Sequence, residues 1–143
     1  MIYFDDVQMG QKIVTRGRTI TEADIVMFAA LSGDWYELHV NKEFAKNMPF
    51  GERIAHGMLV LSIATGFITP YETAVIAFYG MDKVRFVGPT KIGDTIHVET
   101  EVVDLKDKET HGVVSHEVHV KNQRGEDVAI LTTKVAMGKK PKN

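Results

Sequence analysis

The sequence has 143 residues and a mass of 16.0 kDa, enough for one ordinary domain with a real core over residues 1–143, and no second domain is expected. With 44% hydrophobic residues, 25% charged residues and a formal net charge of -2, the composition excludes disorder and offers no broad basic surface to nucleic acid or an acidic membrane. There are no cysteines, which removes disulfides, thiolate metal sites and cysteine nucleophiles and leaves small-molecule chemistry as the expectation.

Met1 to Asp6 carry no basic stretch followed by an apolar one, so no secretory signal is read and a cytoplasmic protein is expected. Gly10 to Ile20 reads as extended. Thr21-Glu22-Ala23-Asp24 then forms a capping box that opens a helix. Ile25, Phe28, Ala29 and Ser32 share one face of that helix, and Gly33 is placed to stop it. Asn41 caps a short helical turn through Lys46, and Pro49 and Gly51 then break regular structure.

From Gly57 to Thr69 the run is apolar on nearly all sides and ends at Pro70. It is too short to span a bilayer, and a helix apolar all round is expected to be enclosed by sheet. Strands are expected over 75–87, 95–104, 113–121 and 127–137. Ile96, Val98, Thr100 and Val102 alternate with His97, Glu99 and Glu101, and Asn122-Gln123-Arg124-Gly125 suits a hairpin between antiparallel strands. Beyond residue 138 the chain is a basic tail, Lys139-Lys140-Pro141-Lys142, read as a solvated terminus. The fold class is therefore α+β.

Asp34 and His39, five residues apart after the first helix, are the candidate catalytic pair. A carboxylate can orient an imidazole, and the imidazole can move a proton near neutral pH. By itself the spacing does not separate such a pair from two solvated side chains. A second argument comes from His56-Gly57, at the mouth of the apolar run. The first amides of a helix have no partner within it, and no Ser, Thr, Asp or Asn immediately precedes Gly57 to cap them. A ligand oxygen could take those donors, with the helix dipole favouring negative charge there. A glycine needed only for tight packing explains Gly57 equally well.

Several segments carry a specific likeness: Phe28-Ala29-Ala30-Leu31-Ser32-Gly33-Asp34, Leu38-His39, Ile54-Ala55-His56-Gly57-Met58-Leu59, Val84-Arg85-Phe86-Val87-Gly88-Pro89 and Gly93-Asp94-Thr95. In order and spacing the chain from residue 15 to residue 135 resembles the MaoC-like dehydratases, also called the (R)-specific enoyl-CoA hydratases. The resemblance implies a hot-dog fold, an antiparallel sheet wrapped around the central helix that begins at Gly57. It also implies a homodimer or higher oligomer with active sites near the interface of two hot-dog units.

Carried over by position, Asp34 and His39 would activate water, and the Gly57 amide would hold a thioester oxygen. The reaction implied is reversible hydration of a trans-2-enoyl thioester to an (R)-3-hydroxyacyl thioester, a step of fatty acid metabolism. The carrier would be coenzyme A, or an acyl-carrier protein, bound as substrate, with no cofactor, metal, nucleic acid or membrane. Two alternatives stay open: a hot-dog thioesterase, and a non-catalytic acyl-CoA-binding partner subunit.

The family's usual loop reads Asp, any residue, Asn, Pro, aliphatic, His. Here Tyr36 and Glu37 stand at the Asn and Pro positions, which leaves the loop less rigid unless an aromatic packs it down, and Tyr36 could reshape the acyl pocket. Thr65, two turns after Gly57, stands where some relatives have a serine lining the site, and His56 is a supporting candidate. His111, His116 and His119 invite a metal reading, but His116 and His119 would point to opposite faces of a strand. Asp94 reads as a turn residue. Lys83, Arg85 and Lys91 are cations available to coenzyme A phosphates.

Overall fold

A computed structural model of the chain describes residues 1–68 and 70–142. After a 3-10 turn at Phe4–Asp6 come two short strands, β1 (Lys12–Val14) and β2 (Arg18–Thr19), so the expected extended segment is interrupted at residues 15–17. Helix α1 (Glu22–Ser32) begins where the sequence placed it. Thr21 accepts from the Asp24 amide, and Asp24 accepts in return from the Thr21 amide at 2.8 Å. It ends at Gly33, whose φ of 78° is left-handed and needs no Cβ to be accommodated.

A helical turn that the sequence did not suggest, α2 (Glu37–Val40), carries His39, and α3 (Lys42–Ala45) follows under the Asn41 cap. Glu37 opens α2 where its family counterpart would be proline. It keeps a favourable first-turn residue by placing a carboxylate against the helix N-terminus, and Asn41 Nδ2 donates to Glu37 Oε1 at 3.1 Å.

The central helix α4 (Gly57–Ile68) is followed by β3 (Val75–Phe86), β4 (Thr95–Asp107), β5 (His111–Lys121) and β6 (Asp127–Gly138). The last residue of the expected helix, Thr69, lies outside the described residues. The strands form an antiparallel sheet in the order β1-β4-β5-β6-β3, with β2 also on β4. This sheet curves around α4 in the hot-dog arrangement. The hairpin between β5 and β6 closes as expected, through Gly125 N to Asn122 O at 3.0 Å.

Inward residues at alternate positions, Ile96, Val98, Val118, Val120, Ala129 and Leu131, meet Leu59, Val60, Leu61 and Ala64 of α4 in the main core. Farther along the same concave face, Val102, Val114, Val135 and Met137 form a second cluster under Phe4 and Val7. Between the two clusters His116 stands opposite Thr133, so this cross-strand pair is a polar band inside an apolar face.

Three expectations are corrected. First, α4 is not enclosed on all sides, because a single curved sheet covers one side only. Met58, Ser62 and Gly66 remain exposed on the other. Second, the C-terminal tail is not simply solvated. Lys139 pairs with Asp107, Lys140 Nζ lies 2.5 Å from Asp6 Oδ1, and the Lys140 amide donates to Asp5 at 2.8 Å. Third, Asp94 is more than a turn residue. Its carboxylate is buried and accepts from the Lys91 amide at 3.0 Å and from Gln123 Nε2 at 2.9 Å, joining its turn to the β5-β6 hairpin.

Candidate active site

The C-terminal end of α1, the turn α2 and the entrance of α4 meet at one place. His39 Nδ1 lies 2.8 Å from the Ile54 carbonyl oxygen. A carbonyl only accepts, so Nδ1 carries the proton and donates. In the neutral ring Nε2 is then left with a lone pair. That nitrogen faces Asp34 Oδ2 across 4.0 Å, while Asp34 Oδ1 accepts from the Tyr36 amide at 3.2 Å. At 4.0 Å the two groups make no direct hydrogen bond. A water between them could donate to the carboxylate and to the bare nitrogen together.

His56 is almost fully buried, at 3% exposure. Its ring is stacked on that of His39, with centroids 3.9 Å apart and planes 27° apart, and Phe28 packs on its other side at 4.9 Å. Its Nε2 donates to the Asp34 carbonyl at 2.9 Å. Asp34, His39 and His56 bring possible ligand atoms within 4.8 Å of one another. Stacking nevertheless keeps the two imidazole planes nearly parallel. One nitrogen of each ring is already committed to a backbone carbonyl, His39 Nδ1 to Ile54 and His56 Nε2 to Asp34.

A cleft of about 480 Å3 opens beside this group, lined by His39, Phe50, Gly57, Met58, Phe86 and Val87 among others. It is mostly apolar and of a size that holds a small organic ligand. Gly57 is packed under Phe86: a Cβ there would stand 2.7 Å from two ring carbons. Both sequence readings of Gly57 thus apply at once, since close packing requires the glycine and its amide still heads a helix at the wall of the cleft.

Tyr36 does not line the cleft. Its ring meets His39 edge-on at 6.3 Å and Phe44 at 5.9 Å, so it braces α2 from outside and supplies the packing that the absent proline would have made less necessary. Thr65 is not brought to the site either. Its hydroxyl donates to the Ser62 carbonyl at 2.8 Å, on the uncovered side of α4. Two contributors have no clear signal in the sequence: the Ile54 carbonyl, because any residue supplies one, and Phe86, whose approach to Gly57 depends on the curvature of β3.

The histidines of β5 divide as their spacing required. His116 faces the concave side, and His119 lies outside between Glu117 at 2.8 Å and Asp127 at 3.2 Å. Of the cations considered for phosphate, Lys91 stands 3.7 Å from Glu52, while Lys83 takes a left-handed φ of 53° at a bulge in β3. Among the described residues, no helix is long and apolar enough to cross a membrane.

The MaoC-like domain family matches residues 6–124, and the chain belongs to it. Protein MaoC of Klebsiella aerogenes is 48% identical over 97 residues, which are 67% of this chain and only 29% of that protein. The (R)-specific enoyl-CoA hydratase of Rhodospirillum rubrum is 36% identical over 103 residues, 72% of this chain and 71% of that enzyme. A crystal structure named as a monoamine oxidase regulatory protein, from an Archaeoglobus species, superposes with a TM-score of 0.90 at 47% identity. It covers 98% of this chain and 96% of its own. The family is thus one of hydratases and dehydratases, although the relatives' names are not uniform.

Proposed function

We propose that this chain hydrates trans-2-enoyl thioesters reversibly to (R)-3-hydroxyacyl thioesters. The observation that carries the reading is the 4.0 Å gap between Asp34 Oδ2 and a His39 Nε2 whose other nitrogen is committed to Ile54. Water in that gap gives a proton to His39 or Asp34 as its oxygen attacks the β-carbon. The electron pair of the double bond shifts to the thioester oxygen, and the Gly57 amide with the α4 N-terminus stabilises the enolate. The same side chains then return a proton to the α-carbon. The atoms balance, and no cofactor is consumed.

The carrier is a coenzyme A thioester or an acyl-carrier protein, and the protein acts in the cytoplasm as a homodimer. The open side of α4 and the outer edge of β3 support the dimer, because β3 ends the sheet and exposes Ile76, Phe78 and Tyr79. The test is loss of the conjugated-enoyl ultraviolet absorbance of crotonyl-CoA and of longer enoyl-CoAs. Asp34→Asn and His39→Ala should each lower turnover by about a hundredfold or more. Parental rates in both variants would remove these residues from the reaction. Release of free thiol with the enoyl group intact would indicate a thioesterase instead. Binding without turnover would indicate a non-catalytic subunit.

A further inference from the structure

We infer that His56 is a positioning residue, a neutral imidazole of fixed tautomer that sets Asp34 and His39 in register with the Gly57 amide. This rests on the hydratase reading but is argued from contacts that exist without substrate.

The segment carrying Asp34 is poorly held by its own contacts. Its local bonds are Gly33 N to Ala29 O, Asp34 N to Ser32 Oγ, Trp35 N to Gly33 O, Tyr36 N to Asp34 Oδ1 and His39 N to Tyr36 O, all within residues 29–39. Such bonds shape a turn but cannot fix its distance from α4. Among the described residues, the hydrogen bond that ties residues 33–36 directly to the α4 entrance is the one from His56 Nε2 to the Asp34 carbonyl, 22 residues away. The half-exposed Asp34 side chain depends on that tether for its place.

One short stretch therefore holds all three reacting groups. Ile54 orients His39 through its carbonyl, His56 holds Asp34 and stacks on His39, and Gly57 presents the amide. Because residues 54, 56 and 57 adjoin at the α4 entrance, the proton-handling pair and the oxyanion donor move together. Binding a carbonyl acceptor also decides the His56 tautomer: the proton is on Nε2. His56 Nδ1 is buried with no protein partner and is left as the bare nitrogen. A misplacement of an ångström between such groups can lower a rate by about a hundredfold.

The experiment separates the donor from the ring. His56→Phe keeps an aromatic stack and removes the donor. His56→Gln removes the ring and keeps an amide nitrogen able to reach the Asp34 carbonyl. With crotonyl-CoA, His56→Phe should lose about tenfold or more in kcat with KM little changed, because His56 does not touch substrate, and His56→Gln should recover much of that loss. In the parent protein, nitrogen-15 spectra should show His56 protonated on Nε2 and His39 on Nδ1. His39 should keep its Nδ1 proton in His56→Phe, because the Ile54 carbonyl still holds it.

Parental kcat in both variants would overturn the inference. Equal losses of kcat in both, in proportion to lost thermal stability, would also overturn it, since they describe a merely structural residue. Should the variants fail to fold, an Nδ1 proton on His56 in the parent overturns it alone. If the parent hydrates nothing while both tautomers are as stated, the reaction is wrong and the positioning stands.

Discussion

His39 has one nitrogen bound to a backbone carbonyl and one free, and this asymmetry gives the site its direction. The same accounting applies to Gly57, whose replacement is expected to act through Phe86. In Gly57→Ala the new methyl would have to displace the ring, an overpacking that costs about 1 to 3 kcal/mol. The unfolding midpoint should fall, and adding Phe86→Leu should restore it while leaving any effect on turnover. If the double variant is no more stable than the single one, Phe86 is not the obstacle.

His116 and His119 make opposite contributions to stability against pH. Burial pushes the His116 imidazole below its ordinary value, so the unfolded chain binds more protons there. Its stabilising contribution is present above about pH 6.5 and is lost as pH falls toward the folded value. The hydrogen bond to Glu117, and then that to Asp127, raise His119 against the effect of desolvation. Its contribution is complete below about pH 6.5 and is lost as pH rises through the folded value. Unfolding midpoints measured against pH should lose their decline just below this region in His116→Phe, and their decline just above it in His119→Gln. Unchanged profiles would show that neither group is linked to folding.

At the scale of elements, the Asp94 turn and the β5-β6 hairpin are one structural unit. Burial alone would raise the Asp94 pKa, but bonds from Gln123 and the Lys91 amide, with Arg124 nearby, hold it below the usual carboxylate range. Asp94→Ala strands those donors and should destabilise the protein by about 1 to 3 kcal/mol, as read by denaturant unfolding. A loss within error would mean that water satisfies the donors equally well. The same turn supports the site, because Ala55 N bonds to Thr90 O at 2.7 Å and Ile54 bridges Lys91, so the segment that holds His39 and His56 rests on it.

For the whole molecule, the open side of α4 and the free edge of β3 leave Met58, Ile76, Phe78 and Tyr79 exposed. If the chain dimerises through this surface, Ile76→Lys with Phe78→Lys should yield a monomer in light scattering, and turnover should fall with it if the partner completes the cleft. A parent protein that scatters as a monomer would remove the dimer, and a monomeric variant with full turnover would confine the site to one chain.

The sequence by itself determined most of the elements, though not the turn α2, and the residue types of the candidate site. The Thr21 capping box, the left-handed Gly33, the alternation in β4 and the hairpin at Asn122 are all local, with physical causes lying within a few residues. The motif order placed Asp34, His39 and Gly57 in a family. Tertiary structure decided what those residues do to one another: the Ile54 carbonyl on His39, the His56 ring between His39 and Phe28, and the removal of Tyr36 and Thr65 from the cleft. It also left α4 open on one side. Hydrophobic periodicity records that a face is apolar but not what covers it, because that depends on how far the sheet curves. Contacts between residues 22 apart leave no periodic trace at all.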